Sequence, residues 1–197
     1  MEEFPALVTR AFELARAAGF ALTREDAGAG ASSACLPGVG RFLAVLAAGC
    51  VGGRIAELGT GTGVGAAWIA DAMPADCTLV TVEVEERFAA VARELLSGDA
   101  RVEVLTGEAA DVVPARGPFD LVFSDAGAHG VDPVGLLRIG GRVVMDDLTP
   151  RAALPPGSPL LADDPKRRAF FGDRRLVSTE VVLPDLRNSL LVGTRAR

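Results

Sequence analysis

Tyrosine is absent from this chain, and histidine, tryptophan and lysine each occur once, at His129, Trp68 and Lys166. The three cysteines, Cys35, Cys50 and Cys77, are odd in number and form no CxxC pair. That argues against a disulfide framework or a cysteine zinc site and fits a reducing compartment. An excess of positive charge is missing as well: the net charge of −6 leaves no overall basic field of the kind that nucleic-acid and anionic-membrane binders use. The one dense basic cluster, Lys166-Arg167-Arg168 with Arg174-Arg175 nearby, lies among Asp163, Asp164 and Asp173 and reads as a solvated helix face. No apolar run reaches the ~18 residues of a membrane helix, and the acidic start MEEFPALVTR does not read as a signal peptide. The expectation is a cytoplasmic protein with no nucleic-acid or membrane partner.

What is present suits one α/β domain spanning residues 1–197, since 197 residues with 49% hydrophobic content can bury one good core. Residues 1–50 read as two or three helices (FPALVTRAFELARAAG and GVGRFLAVLAAG) joined by EDAGAGASSACLPG. From residue 51 onward strand and helix signals alternate. The strands are RIAEL (54–58), TLVTVEV (78–84), RVEVLT (101–106) and FDLVFSD (119–125). A new start at Asp132-Pro133 opens VGLLRI, and Gly140-Gly141 leads into RVVMDD (142–147). Such alternation predicts a doubly wound parallel sheet with helices on both faces. In the tail, RRLVSTEVVL (174–183) and NSLLVGTR (188–195) follow a Pro-rich loop with no helix between them, which predicts an antiparallel hairpin at the sheet edge.

The stretch AELGTGTGVGAAWIAD (56–71) sets glycines at 59, 61, 63 and 65 between a strand and a helix. A glycine-rich turn there presents free backbone N–H groups and a helix N-terminus to a ligand. Glu83 closes the next strand 20 residues after Gly63, the spacing at which an acid reaches ribose hydroxyls. A nucleoside-bearing cofactor is the natural guest. GTGVGA also fits the GxGxxA of a dinucleotide site, but without tyrosine the chain lacks the Tyr-Lys pair of many short-chain dehydrogenases. Glu57, inside the end of the first strand, suits a cationic ligand such as an amino-acid amine, and Glu108 in TGEAAD is placed to accept from an exocyclic adenine amine. Trp68 falls inside the first helix of this unit and reads as core.

Taken in order, AELGTGTGVG, TVEVEERF, TGEAADVVP, FDLVFSDAG and LLRIGGRVVMDD resemble the class I S-adenosylmethionine-dependent methyltransferases. SSACLPGVGRFLAVLAA resembles more narrowly the N-terminal segment of the catechol and caffeoyl-CoA type O-methyltransferases. The resemblance implies a Rossmann-like, mostly parallel seven-stranded sheet with an antiparallel C-terminal edge hairpin. It implies that Glu57, Gly59, Thr60, Gly61 and Gly63 line the methionine end of S-adenosylmethionine. Glu83 would then hold the ribose, Glu108 and Ala109 flank the adenine, and Ser33 to Cys35 cover the carboxylate. Asp125 would lie beside the transferred methyl, and a small acceptor, an aromatic hydroxyl for instance, would receive it. Proteins of this type often pair, so a homodimer is implied too.

In the catechol type, Mg²⁺ is held by an Asp at the end of the fourth strand and an Asp-Asn pair at the end of the fifth. The corresponding positions here are Asp125, Asp146 and Asp147, hard oxygen ligands suited to Mg²⁺ or another divalent cation. Two departures stand out: Asp147 replaces the Asn, and Ala128 stands where the family carries a lysine. His129, next door, is the candidate replacement base. Four alternatives remain open at this stage: metal-assisted O-methyl transfer, a metal-independent O- or N-methyltransferase, an NAD-dependent oxidoreductase, and a cofactor-binding protein without catalysis.

Overall fold

The computed structural model describes residues 4–23, 26, 33–125, 130–183 and 188–197. Seven strands form one sheet in the order β3-β2-β1-β4-β5-β7-β6. Strands β1 (Arg54–Leu58), β2 (Thr78–Glu83), β3 (Val102–Thr106), β4 (Phe119–Ser124) and β5 (Leu137–Leu148) run parallel. Strand β7 (Ser189–Arg195) is antiparallel to both β5 and the edge strand β6 (Leu176–Val182), which is the expected C-terminal hairpin. The sheet reverses its order between β1 and β4, and in such sheets ligands bind beyond the carboxyl ends of the strands at that reversal.

Alternation along the strands divides the core in two. Ile55, Leu79, Leu121, Phe123 and Val144 face helices α1 (Ala6–Ala17), α2 (Pro37–Ala48), α3 (Val64–Ala72) and α4 (Glu86–Leu96). Ala56, Leu58, Val80, Val82, Val122 and Val143 face the opposite side. There they meet the short α5 (Ala109–Val112) with the chain around Val134 to Leu137, and Phe170 of α7 (Pro165–Gly172), which follows another short helix, α6 (Pro159–Ala162). Period-two side-chain alternation places Glu57 on the same side as Ile55, toward the N-terminal helices. Trp68 is core as expected, at 4% exposure, and a Cβ on Gly40 of α2 would stand only 2.2 Å from its indole, so the glycine is what lets α2 approach α3. All three cysteines are buried and free.

Two expectations need correction. The fifth strand does not begin at Arg142: it already begins at Leu137, with an irregular register against β4 between Phe119 and Leu121, and Gly140 at φ 82° lets one strand carry the kink. The second correction concerns the basic cluster, which is not a solvated face. Arg168 is exposed and paired with Asp163, but Arg167 is buried at 5% exposure and Lys166 is half-buried. Arg167 donates to both Glu180 carboxylate oxygens, at 2.9 and 2.5 Å, and to the Thr149 carbonyl at 2.8 Å. It is also paired with Asp164, whose carboxylate caps the start of α7 by accepting from the Arg167 N–H at 3.1 Å. A charge run shows its sign in sequence, but not which member folds back onto a strand. No helix among the described residues is long and apolar enough to cross a membrane.

Candidate active site

The carboxyl ends of β1, β2 and β4 open onto a cavity of about 300 Å³. Its floor is the turn between β1 and α3, where Gly59 and Gly61 have positive φ (98° and 52°). The loop passes so close to β4 that a Cβ on Gly59 would meet the Asp125 carbonyl oxygen at 2.7 Å. Glu83, at the end of β2, accepts from the Gly61 N–H at 2.7 Å and from the Glu85 N–H at 3.0 Å. Its carboxylate is thereby fixed against the glycine turn at the rim of the cavity.

Glu57 is 1% exposed. Register pairs it with Thr81 of β2, and the Thr81 hydroxyl donates to Glu57 Oε2 at 2.5 Å. The Thr60 hydroxyl lies 2.5 Å from the same Thr81 oxygen, extending the chain of hydroxyls back to the loop. Burial pushes the Glu57 carboxyl up to about 8, opposed by the Thr81 hydrogen bond and reinforced by the negative charge of Glu83. A buried acid without a cationic partner retains its proton until a cation arrives.

Of the residues that the sequence singles out, Ser33, Cys35, Glu57, Gly59, Thr60, Gly61, Glu83, Glu108, Ala109 and Asp125 all line the cavity. Gly63 does not. It stands at the N-cap of α3 with φ 95°, and a Cβ there would come within 3.2 Å of Ala92 and Leu95, so its work is to let α4 pack on the loop. His129 and Ala128 lie outside the described residues. The structure adds Phe20 and Phe88, whose rings meet edge to face at 4.8 Å on the cavity wall, and Thr62 and Gly65 from the loop. Nothing in local sequence marks the two phenylalanines, because they come from segments 68 residues apart.

Asp125 is half-buried at the end of β4. Burial, then the charges of Asp146, Asp147 and Glu57, push its carboxyl well above the usual range, while Lys166 draws it back down. Asp146 and Asp147 sit in a bulge of β5, where pairing with β7 skips from Met145–Leu191 to Leu148–Ser189. Asp147 occupies this bulge with φ 65° and is exposed, whereas Asp146 is 4% exposed. Asp146 Oδ1 accepts from the Asp147 N–H at 2.6 Å and from the side-chain amide of Asn188 at 2.8 Å. The Lys166 ammonium donates to the Asp146 carbonyl oxygen. Among the described residues, no group of three His, Cys, Asp or Glu side chains is gathered to hold a metal ion. The expected triad Asp125, Asp146 and Asp147 is therefore not assembled as a ligand set. Asn188, the chain's only asparagine, and Lys166 are the residues here that motif reading missed.

Comparison with known proteins agrees with this geometry. Residues 55–143 match the family described as "Methyltransferase domain". The catechol O-methyltransferase of Niastella koreensis is 38% identical over 98 residues, 46% of this chain and 44% of that protein. A Mycolicibacterium smegmatis protein provisionally named an O-methyltransferase is 37% identical over 141 residues, 66% of this chain and 64% of its own length. The chain thus matches about half to two thirds of the length of these curated relatives. Among solved structures, that described as cofactor-bound Rv0187 from MTB superposes with a TM-score of 0.76 at 27% identity, over 98% of this chain and 91% of that one. The O-methyltransferase TomG of Streptomyces achromogenes, solved in complex with SAM, shares the fold with a TM-score of 0.73 at 24% identity, over 99% and 92% of the two chains. Residues 55–143 thus resemble a methyltransferase domain, and the chain as a whole has the Rossmann-like fold of these solved structures.

Proposed function

We propose that the chain is a single-domain enzyme that transfers a methyl group from S-adenosylmethionine to a hydroxyl oxygen of a small acceptor, an aromatic alcohol being the favoured class. The observation that carries this reading is Glu83, held by two backbone N–H groups at the rim of a glycine-floored cavity whose depth holds a buried, proton-retaining Glu57. That set of groups fits S-adenosylmethionine: a carboxylate for ribose hydroxyls, a buried acid for the methionine amine, and the Ser33 to Cys35 segment beside the carboxylate end. When bound, the cofactor supplies a methyl on a sulfonium, which passes to oxygen as the C–S bond breaks and the C–O bond forms.

The residues of the chain then have three tasks. Glu83 and Glu57 fix the two ends of the cofactor, so that the methyl faces the acceptor in line. Phe20 and Phe88, with Glu108 and Ala109, wall the adenine end from water. Asp125, on the cavity wall at the end of β4, accepts the hydroxyl proton as the oxygen attacks. His129 is the other candidate for that proton.

The test is to incubate the protein with methyl-labelled S-adenosylmethionine and a panel of phenols, catechols and amines, and to locate the label. Label on an ether oxygen is the expected result. Transfer to nitrogen alone, or no transfer by protein that binds S-adenosylhomocysteine, overturns the O-methyl reading.

A further inference from the structure

Thr62 is completely buried in the turn between β1 and α3, yet its hydroxyl has no hydrogen-bond partner among the described residues. Buried polar side chains are nearly always paired, so an unpaired one calls for a reason. The Trp68 indole N–H shares that state, but it is shut in the helical core, where a Cβ on Gly40 would stand 2.2 Å from the ring nitrogen. Thr62 instead lines the cavity. The backbone around it has donors to spare. The Val82 carbonyl takes the N–H groups of Gly59 and Thr60 at 3.0 Å, Glu83 takes that of Gly61, and the Thr60 carbonyl takes that of Gly63 at 2.9 Å. Among the described residues, the first N–H of α3 bonded to a backbone carbonyl is that of Ala67, on Gly63 at 2.9 Å. The N–H groups of Val64, Gly65 and Ala66 therefore stand unspent at the helix start, and Val64 and Gly65 also line the cavity.

An acceptor adjoins these donors. Glu57 Oε2 is held by the Thr81 hydroxyl, whereas Oε1 lies beside Gly65, where a Cβ would be only 2.2 Å away. Gly65 can carry no side chain there, and of residues 61–66 only Thr62 has a polar one. A buried acid and a set of unspent donors thus meet at one turn of the chain. That pairing matches the ammonium and carboxylate of an α-amino acid, which share one carbon atom.

We propose that Thr62 is a cofactor-binding residue whose hydroxyl, with the N–H groups at the start of α3, donates to the carboxylate at the amino-acid end of S-adenosylmethionine. The inference deepens the methyltransferase reading and rests on it. With Glu57 on the amine, Thr62 makes the site select an intact amino acid over a nucleoside that carries an amine alone. Because the hydroxyl is unpaired until the ligand arrives, its hydrogen bond counts toward affinity and not toward folding.

The test titrates two ligands into wild type, Thr62→Val and Thr62→Ser: S-adenosylhomocysteine, and its decarboxylated form, which keeps the nucleoside and the amine. Thr62→Val is expected to bind S-adenosylhomocysteine roughly 10- to 150-fold more weakly than wild type, the range for losing a hydrogen bond to a charged group. The decarboxylated ligand is expected to bind wild type and Thr62→Val equally, and Thr62→Ser, which keeps the hydroxyl, to stay near wild type for both. Ligand-free Thr62→Val is expected to unfold at a temperature no lower than wild type, since a methyl replaces an unpaired hydroxyl. The proposal is overturned if Thr62→Val binds S-adenosylhomocysteine as tightly as wild type does, or if it loses affinity for both ligands alike. It is overturned too if the ligand-free variant unfolds well below wild type, because the hydroxyl would then serve the fold. A folded wild type that binds neither ligand overturns the methyltransferase reading itself, and the proposal with it.

Discussion

Gly65 and Glu57 interlock: a Cβ on Gly65 would lie 2.2 Å from Glu57 Oε1, so the first turn of α3 closes directly over the buried carboxyl. The glycine-rich loop therefore makes room for its own neighbours as well as for a ligand. Gly65 admits Glu57, and Gly59 admits the β4 backbone at Asp125. Gly65→Ala is expected to push the Glu57 carboxyl off Thr81. The cost should be about 1–3 kcal/mol of stability, as for other overpacked sites, and the change should weaken S-adenosylhomocysteine binding. Chemical denaturation and calorimetry on the same preparation check both effects.

Glu83 carries the clearest single-residue test of the cavity. Glu83→Gln keeps the size of the side chain but removes its charge and leaves one of its two backbone contacts facing an N–H₂ group. Loss of a charge-assisted hydrogen bond is worth roughly 1.5–3 kcal/mol, which corresponds to about a 10- to 150-fold loss of affinity for S-adenosylhomocysteine. An unchanged dissociation constant would remove Glu83 from the ribose site.

Glu57 links the site to pH. Its carboxyl stands at about 8 in the folded chain against an ordinary 4.5, so the folded state holds a proton that the unfolded chain has released between those values. The stability that this proton represents is full below about 4.5 and is lost as pH rises through 8. A cationic amine beside Glu57 favours the ionised form, so cofactor binding at neutral pH should expel a proton. Affinity is expected to climb from pH 6 to pH 8 in wild type and to stay flat over that range in Glu57→Gln. Titrations in buffers of different ionisation enthalpy measure the proton released.

Arg167 holds the tail to the sheet. Removing one partner from a buried ionic network leaves the others desolvated, at a cost of about 3–5 kcal/mol. Arg167→Ala, which strands Glu180 and Asp164, should therefore lower the unfolding temperature sharply. Arg167→Lys should recover only part of it, since lysine cannot address both Glu180 oxygens and the Thr149 carbonyl at once.

Legibility in the sequence followed the range of the interactions involved. Strands such as TLVTVE and the loop–Glu83 pairing were readable because β-branched runs, glycine punctuation and a fixed spacing are local signals. The packing of Gly63 is not legible locally, because a Cβ there would meet Ala92, 29 residues on in α4. The acidic corner was half legible: Asp125 and Asp146 were visible as strand-end acids. The bulge that exposes Asp147, and the arrival of Asn188 and Lys166 from the tail, depend on how β7 and α7 dock on β5. Arg167 shows the same limit, since its burial is decided by Glu180, on a different element.

The most direct measurement is a calorimetric titration of S-adenosylhomocysteine into wild type and Glu83→Gln at pH 8. Saturable binding at one site in the wild type, weakened at least tenfold in a variant that remains folded, is the expected result. A folded wild type that gives no saturable heat, or a variant that binds as tightly, would contradict the assignment of the glycine-floored cavity as the cofactor site.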